Sequence, residues 1–294
     1  PTHYSGFSVI NKRLRMVLTV VVALVVVVAL WEGYKWMGQQ TDDHWPGTNF
    51  GLPTATNDII MPHAADILGE LTVDIRDGRN TLPMYVFLLK KAWFTFQEAA
   101  IGFTLGLAIG MGLAVLMARW KVAEKGLLPW INVSQTIPLI ALAPLVVTWG
   151  RQQNMPDLLS ISLISTYLTF FPVAVSGLRG LQSPDADHVE LMRSYAASWR
   201  TTLFKLRLPA SRPYLFPALK IAGTLSIVGA IVGEISIGTK TGLGRAILEY
   251  AQRYAVAPER LYASVIGAAF LGLTVFGLIN LTERWVMRRT REVI

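Results

Sequence analysis

The chain has 294 residues, of which 52% are hydrophobic and only 16% are charged. Soluble domains carry about 25% charged residues, so this composition excludes an ordinary soluble protein and indicates an integral membrane protein. Cysteine is absent, the four histidines lack metal-ligand spacing, and the net charge of +8 is typical of basic cytoplasmic loops rather than of nucleic-acid binding. We therefore expect no disulfide, no metal site and no nucleic-acid partner, and we expect the lipid bilayer as surroundings.

The first apolar segment, residues 16–36, has about the 20 residues that a helix needs to cross a bilayer. Basic residues precede it, and Trp31 and Trp36 lie near its far end, where interfacial aromatic residues are common. No small-residue cleavage site follows the apolar stretch, which argues against a signal peptide. The pattern predicts a cytoplasmic N-terminal segment, 1–15, and a first transmembrane helix.

Residues 37–91 form a long polar interval that is rich in turn-forming residues. Within it, Ala64 to Leu71 has the pattern of a short amphipathic helix that lies on the membrane surface. We interpret the interval as a solvated extracytoplasmic loop without a catalytic role.

Five further apolar segments follow and give six transmembrane helices in all, the last five forming a core over 92–285. These segments are 92–118, 127–148, 158–178, 214–235 and 261–285. The second span contains Gly102, Gly106 and Gly110, a spacing of small residues that predicts close helix packing in lipid. Prolines within the third span predict a kinked helix.

The distribution of basic residues gives the orientation. Lys and Arg outnumber Asp and Glu in one set of alternate connecting segments and balance them in the other, and the basic set belongs inside. Both termini are then cytoplasmic, including a basic tail over 286–294. The long polar segment 179–213 is cytoplasmic as well.

Motifs for enzymatic chemistry are missing. The sequence holds no phosphate-binding G-x-x-x-x-G-K-[ST] loop, no H-E-x-x-H pair and no nucleophile elbow. The glycine cluster at 238–244 is followed by Arg245 and Ala246 and lies in a predicted outer segment. The chain is therefore predicted not to be an enzyme.

The polar stretch 187–217 resembles the EAA loop of permease subunits of ATP-driven bacterial importers. That pattern reads E-A-A, three residues, G, nine residues and I-x-L-P. Four residues match it at the family's spacing: Glu190, Leu206, Leu208 and Pro209. Ala196 stands in place of the glycine, and Leu191 and Met192 replace the two alanines.

The resemblance extends to the nitrate, taurine and sulfonate branch of these permeases. Residues 134–150 and 228–247 are similar to two of its characteristic runs, and Glu234 matches its intramembrane acid. Together the similar stretches cover roughly residues 60 to 285.

The resemblance implies an all-α integral membrane protein with the type I ABC importer permease fold in the bacterial inner membrane. It implies a homodimeric pathway, two ATPase subunits on the cytoplasmic loops and an extracytoplasmic substrate-binding protein. ATP and Mg would be bound by the partner ATPase and no cofactor by this chain. The implied substrates are oxyanions, sulfonates or small heteroaromatic compounds such as thiamine-precursor pyrimidines and riboflavin. A secondary transporter or channel without an ATPase is the alternative, although the sequence shows neither paired acids nor an inverted repeat.

Aromatic and aliphatic residues recur at helical spacing within this loop, at Tyr195, Trp199, Leu203 and Leu206. Such a face either inserts into a groove of a partner or lies on the membrane interface, and the spacing leaves both open. The resemblance favours docking. The residues predicted to couple to the ATPase are Glu190, Tyr195, Ala196, Trp199, Leu206, Leu208 and Pro209.

Glu234 lies within a predicted span, where an acidic residue costs roughly 2.5–3.5 kcal/mol on insertion scales and therefore faces a cavity or a partner. A hydrated position at the outer end of the span is the alternative, and the same choice applies to Glu98. We expect the translocation path to be lined by Gln135, Thr136, Pro138, Tyr167, Phe170 and Glu234.

Overall fold

The structure is a computed structural model that describes residues 5–48, 50–78, 80–239 and 241–291. The first four residues of the predicted segment 1–15 and the last three of the predicted tail 286–294 lie outside the described residues. The described chain is mainly helical with one β-hairpin, and it divides into two compact units. One unit comprises the described residues up to Met84 together with Tyr250–Ala263, and the other comprises Tyr85–Glu249 together with the described residues from Ser264 onward.

The first unit contains the helix α1 (Ser5–Gln40), the short helix α2 (Ala64–Glu70) and the antiparallel strands β1 (Asp74–Asp77) and β2 (Asn80–Pro83). The valine-rich part of α1 is helical although valine is a poor helix former in water. Its aliphatic side chains are exposed, as for a helix in lipid, where every backbone polar group has to be bonded within the helix. The amphipathic helix predicted at Ala64–Leu71 is confirmed as α2.

Ionic and polar contacts tie the end of α1 to the segment before α2. The Lys35 side chain is 1% exposed, and its Nζ lies 2.7 Å from Asp58 Oδ1. Glu32 accepts hydrogen bonds from His63 Nδ1 and from the backbone N–H of Ala64, at 2.8 Å each. The second bond satisfies one of the unpaired N–H groups at the start of α2.

The second unit contains most of α3 (Met84–Arg119) followed by α4 (Lys121–Ser134), α5 (Leu139–Gln152) and α6 (Asp157–Leu181). The chain continues through α7 (Ala186–Ser194), α8 (Trp199–Thr202), a wide π turn (Leu203–Arg207) and α9 (Leu208–Ile237). Parts of α10 (Leu243–Gln252) and α11 (Pro258–Arg291) complete it. Helix α3 begins before the predicted start of the second span at Ala92, and α11 extends past the predicted end of the sixth span at Trp285.

Helix α6 packs against both α3 and α9, and small residues lie at both contacts. A Cβ added to Gly102 of α3 would lie 2.7 Å from the Ser162 carbonyl oxygen, and one added to Gly229 of α9 would lie 2.7 Å from the Ser165 Cα. Gly106 and Gly110 meet α6 in the same way, at Thr169 and Val173. A larger side chain at these positions would separate the helices.

The third predicted span is a broken helix pair rather than one kinked helix. Helices α4 and α5 have 14 residues each and meet at an angle of 100°. Each is about 21 Å long, which is less than the roughly 30 Å hydrocarbon core. The described residues therefore contain five helices that are long and apolar enough to span a bilayer, or six if the pair counts as one. The break falls at Pro138, which has no N–H and restricts the residue before it to extended conformations.

Helical structure crosses the predicted boundary between the cytoplasmic loop 179–213 and the fifth span over 214–235, and the position of the bilayer there stays a prediction. Helical structure continues from Trp199 to Ile237 without interruption. The π turn directly precedes α9, and Pro209 lies in the first turn of α9, where its missing N–H is tolerated. The second half of the predicted loop is thus helical and continuous with the fifth predicted span.

Candidate functional site

Helix α7 carries the first half of the EAA-like stretch on the surface. None of its residues is buried, Glu190 is exposed, and Leu191 is 53% exposed. Tyr195, which follows α7 directly, is 76% exposed. The helix thus presents both a carboxylate and apolar side chains that nothing in its own unit covers.

A strained turn ends α7. Ala196 has φ 50, a left-handed conformation that costs a non-glycine residue about 1–2 kcal/mol. The Ala197 N–H donates to the Met192 carbonyl at 2.9 Å, which closes the turn in the manner of a Schellman motif. The backbone at Ala196 explains why glycine suits this position of the pattern.

The second half of the stretch is anchored in the unit. Ser198 Oγ accepts a hydrogen bond from the Thr201 N–H and caps α8. The Arg119 guanidinium lies 5.1 Å from the centre of the Trp199 ring, and Leu203 is 5% exposed in a core cluster. Its buried neighbours there are Ala114, Met117, Ile131, Ala174, Leu178 and Leu181.

The predicted single apolar stripe is therefore divided. Tyr195 faces outward, whereas Trp199 and Leu203 pack against the unit's own core. Leu206, Leu208 and Pro209 are half-buried. The sequence pattern could not show this division, because the left-handed turn at Ala196 changes the direction of the chain between the two halves.

The break between α4 and α5 gathers five of the predicted path residues. Gln135, Thr136 and Pro138 form the break itself, and Gln135 Nε2 is buried without a hydrogen-bond partner among the described residues. The Tyr167 hydroxyl donates to the Ser134 carbonyl at the end of α4. The Phe170 ring lies 6.0 Å from the ring of Tyr167. Their role in a path stays a prediction.

Glu234 lies near the end of α9 and is fully buried, so it is not the hydrated acid that the alternative reading describes. Its Oε1 accepts a hydrogen bond of 2.6 Å from Thr95 Oγ1, and its Oε2 accepts one of 2.5 Å from the Gly244 N–H. Thr95 Oγ1 in turn accepts a hydrogen bond of 2.8 Å from the Leu243 N–H. The carboxyl group thus joins α3, α9 and the start of α10.

Two glycines allow this close approach. Gly242 has φ +91, and a Cβ added there would overlap the Glu234 carboxyl group. A Cβ on Gly244 would lie 2.8 Å from Glu234 Oε2. The predicted outer glycine cluster is therefore a cradle for a carboxyl group of the same chain. Sequence reasoning missed this role, although an acid followed by a G-x-G turn was the available signal.

Glu98 is the second carboxyl group of this site. It is 4% exposed, and it lies one helical turn after Thr95, whose hydroxyl donates to Glu234, on the same face of α3. Its Oε2 is buried, and no described residue donates a hydrogen bond to it. The absence of paired acids noted in the sequence is thus corrected, since the fold brings together two acids that lie far apart along the chain.

Comparison with known proteins supplies the family context. The family model described as "Binding-protein-dependent transport system inner membrane component" matches residues 103–292, more than half of the chain. Formylaminopyrimidine transport permease protein ThiX of Halalkalibacterium halodurans is 35% identical over 150 residues, which cover 51% of this chain. That match spans 58% of ThiX, so only part of that relative's length is represented.

Putative aliphatic sulfonates transport permease protein SsuC of Bacillus subtilis is 27% identical over 194 residues, covering 66% of this chain and 68% of SsuC. Among solved structures, an inward-facing conformation of the MetNI methionine ABC transporter is similar at a TM-score of 0.59 and 18% identity. That likeness covers 69% of this chain and 98% of the other. At such low identity it supports the fold alone.

Proposed function

The chain belongs to the family of binding-protein-dependent transport system inner membrane components, and we propose that its EAA-like stretch couples it to a separate ATPase. It is a multi-pass permease subunit of an ABC importer with the type I fold. Family membership favours this function over a secondary transporter or channel. The proposal extends to a homodimeric path, two ATPase subunits and a substrate-binding protein on the outer side.

The exposed helix α7 is the observation that carries the coupling proposal. A nine-residue helix without any buried residue has little to stabilise it in water, because isolated helices shorter than about 12–15 residues are marginal. Its exposed Leu191 and the adjacent Tyr195 are apolar groups that a partner groove would bury. We therefore place the ATPase on α7, around Glu190.

The anchored half of the stretch gives a route for the coupling. A movement of α7 would be transmitted to Trp199 through the short turn at Ala196. Because the helix is continuous from Trp199 to Ile237, a movement of α7 by the ATPase would displace the whole fifth membrane helix. ATP and Mg belong to the partner, and hydrolysis there supplies the free energy.

Charge reversal on α7 tests the coupling. We expect Glu190→Lys to abolish copurification of the ATPase in mild detergent, and Ala196→Trp to do the same by deforming the turn. Asp74→Lys is the matched control, since Asp74 is exposed on β1 and the change in charge is identical. Retained ATPase binding in both α7 variants would show that the partner docks elsewhere. Hydrolysis of ATP by the purified chain alone would contradict the proposal that only the partner subunit hydrolyses ATP.

The orientation can be tested on a cysteine-free background. Because the chain has no cysteine, each introduced thiol reports a single position. We propose cytoplasmic termini, so Ser194→Cys should react with an impermeant maleimide only from the cytoplasmic side, and Thr72→Cys only from outside. Both residues are exposed. The reverse pattern would invert the proposed topology.

The substrate is proposed from the relatives together with the charges of the spans. The names of ThiX and SsuC give formylaminopyrimidine and aliphatic sulfonates as substrates of those proteins. Lys220, a cation within α9, lies 2.5 Å from Glu283 Oε2 and 2.9 Å from Asn280 Oδ1, so it is not free to bind an anion. We propose that the substrate is a neutral heteroaromatic solute of the pyrimidine type rather than a sulfonate or another oxyanion. Thermal-shift screening of the cognate binding protein against pyrimidines and sulfonates decides between them.

A further inference from the structure

Glu98 and Glu234 are two buried carboxyl groups, and together they can bind a proton. The proposed transport of a solute does not by itself call for such a proton. Glu234 accepts a hydrogen bond from Thr95, which lies one helical turn before Glu98 on the same face of α3, and both carboxyl groups are buried. Two neighbouring carboxyl groups that are removed from water cannot both be ionised without strong repulsion, so one keeps its proton. An acidic side chain is already costly within a membrane helix, and a second adjacent charge would add to that cost. We propose that the pair is a buried proton-binding site that holds one proton, carried by Glu98.

The hydrogen bonds assign the proton to one of the two groups. Glu234 receives donors from Thr95 Oγ1 and from the Gly244 N–H, and such donors favour the ionised form. Glu98 receives no donor at its buried Oε2. A protonated Glu98 can donate its O–H to Glu234, which satisfies both groups with a single hydrogen.

Charged residues on the helices that pack around the pair include Lys91 of α3, near Glu234, and Asp157 at the start of α6, near Glu98.

The proton also links the pair to movement of the helices. Glu98 lies on α3, and Glu234 lies on α9 in contact with the turn at Gly242–Gly244. Separation of α3 from α9 would expose both carboxyl groups to water, where each ionises at neutral pH. Opening at this point therefore releases the proton, and closing takes one up.

The test is infrared spectroscopy of the full-length chain in a maltoside detergent, which has no ester carbonyl. At neutral pH the wild type should show the carbonyl band of one buried carboxylic acid. Glu98→Gln should abolish that band, whereas Glu234→Gln and the exposed control Glu190→Gln should retain it. Absence of the band in the wild type, or its persistence in Glu98→Gln, would overturn the proposal.

Melting temperatures give an independent readout. The glutamine amide in Glu98→Gln donates a hydrogen to Glu234 as the protonated acid does, so this variant should keep the wild-type melting temperature. Glu234→Gln places an amide where Thr95 and Gly244 require an acceptor, and its melting temperature should fall. The opposite order, or failure of Glu98→Gln to fold, would show that Glu98 does not act as a neutral donor.

Discussion

Substitution of Gly242 by alanine tests whether the Glu234 carboxyl group shapes the turn after α9. Gly242 has φ +91, and the left-handed backbone alone costs a non-glycine residue about 1–2 kcal/mol. The added Cβ would also overlap the carboxyl group, and overpacking of a closed site costs about 1–3 kcal/mol more. We expect Gly242→Ala to lower the free energy of unfolding by about 2–5 kcal/mol.

Gly238→Ala is the matched control within the same segment. Gly238 has φ +64, but no atom lies within 4 Å of the added Cβ, so only the backbone cost of about 1–2 kcal/mol applies. Thermal unfolding in detergent, followed by tryptophan fluorescence, compares the two variants. Equal losses of stability would refute a role for the carboxyl group.

A second comparison isolates the contact itself. In a Glu234→Ala background the obstructing carboxyl group is absent, so the cost of Gly242→Ala should fall to that of Gly238→Ala. A double-mutant cycle measures this difference as a coupling free energy. If Gly242→Ala costs the same in both backgrounds, the turn is constrained by something other than Glu234.

Three further predictions concern other parts of the chain. Ala196→Gly removes a left-handed non-glycine residue and should raise the free energy of unfolding by up to about 1 kcal/mol, measured by the same thermal assay. Lys220→Met leaves Glu283 without its cation and should destabilise by up to about 3–5 kcal/mol, whereas adding Glu283→Leu should restore most of the melting temperature. The hydrogen bond from Lys35, together with its charge, lowers the pKa of Asp58 below its ordinary value of 3.8. Its stabilisation is therefore fully present above pH 3.8 and is lost as the pH falls from 3.8 through the lower pKa of the folded state, so the difference in melting temperature between wild type and Asp58→Asn should shrink over that range.

Local patterns predicted the elements that depend on local physics. The apolar runs located the five long apolar helices, and the amphipathic spacing after His63 located α2. The ends of the helices differ from the ends of the apolar runs where a helix continues through polar residues. At the start of α9, for example, a wide turn before Pro209 carries the helix from Trp199 into the membrane span. The change from polar to apolar residues there indicates where the helix enters the membrane. The backbone hydrogen bonds of the helix continue across that change.

The candidate site was only partly visible in the sequence. Glu190 and Pro209 could be placed by their spacing, but the division between exposed Tyr195 and buried Leu203 depends on the left-handed turn at Ala196. Glu98 and Glu234 were each recognised as acids within spans. Their proximity was missed because it depends on how α3 and α9 pack against α6.

Sequence alone determined that this protein is a multi-pass membrane helix bundle with a long polar stretch between two of its apolar segments. Length, charge and apolar periodicity carry that information, since the bilayer imposes the same requirements on every spanning segment. Only the tertiary structure decided that α4 and α5 are a broken pair and that two distant acids share one buried site. Those features depend on contacts between residues remote in the sequence. Small residues such as Gly102 and Gly229 create these contacts by allowing the helices to approach, and no local pattern specifies which residues will meet.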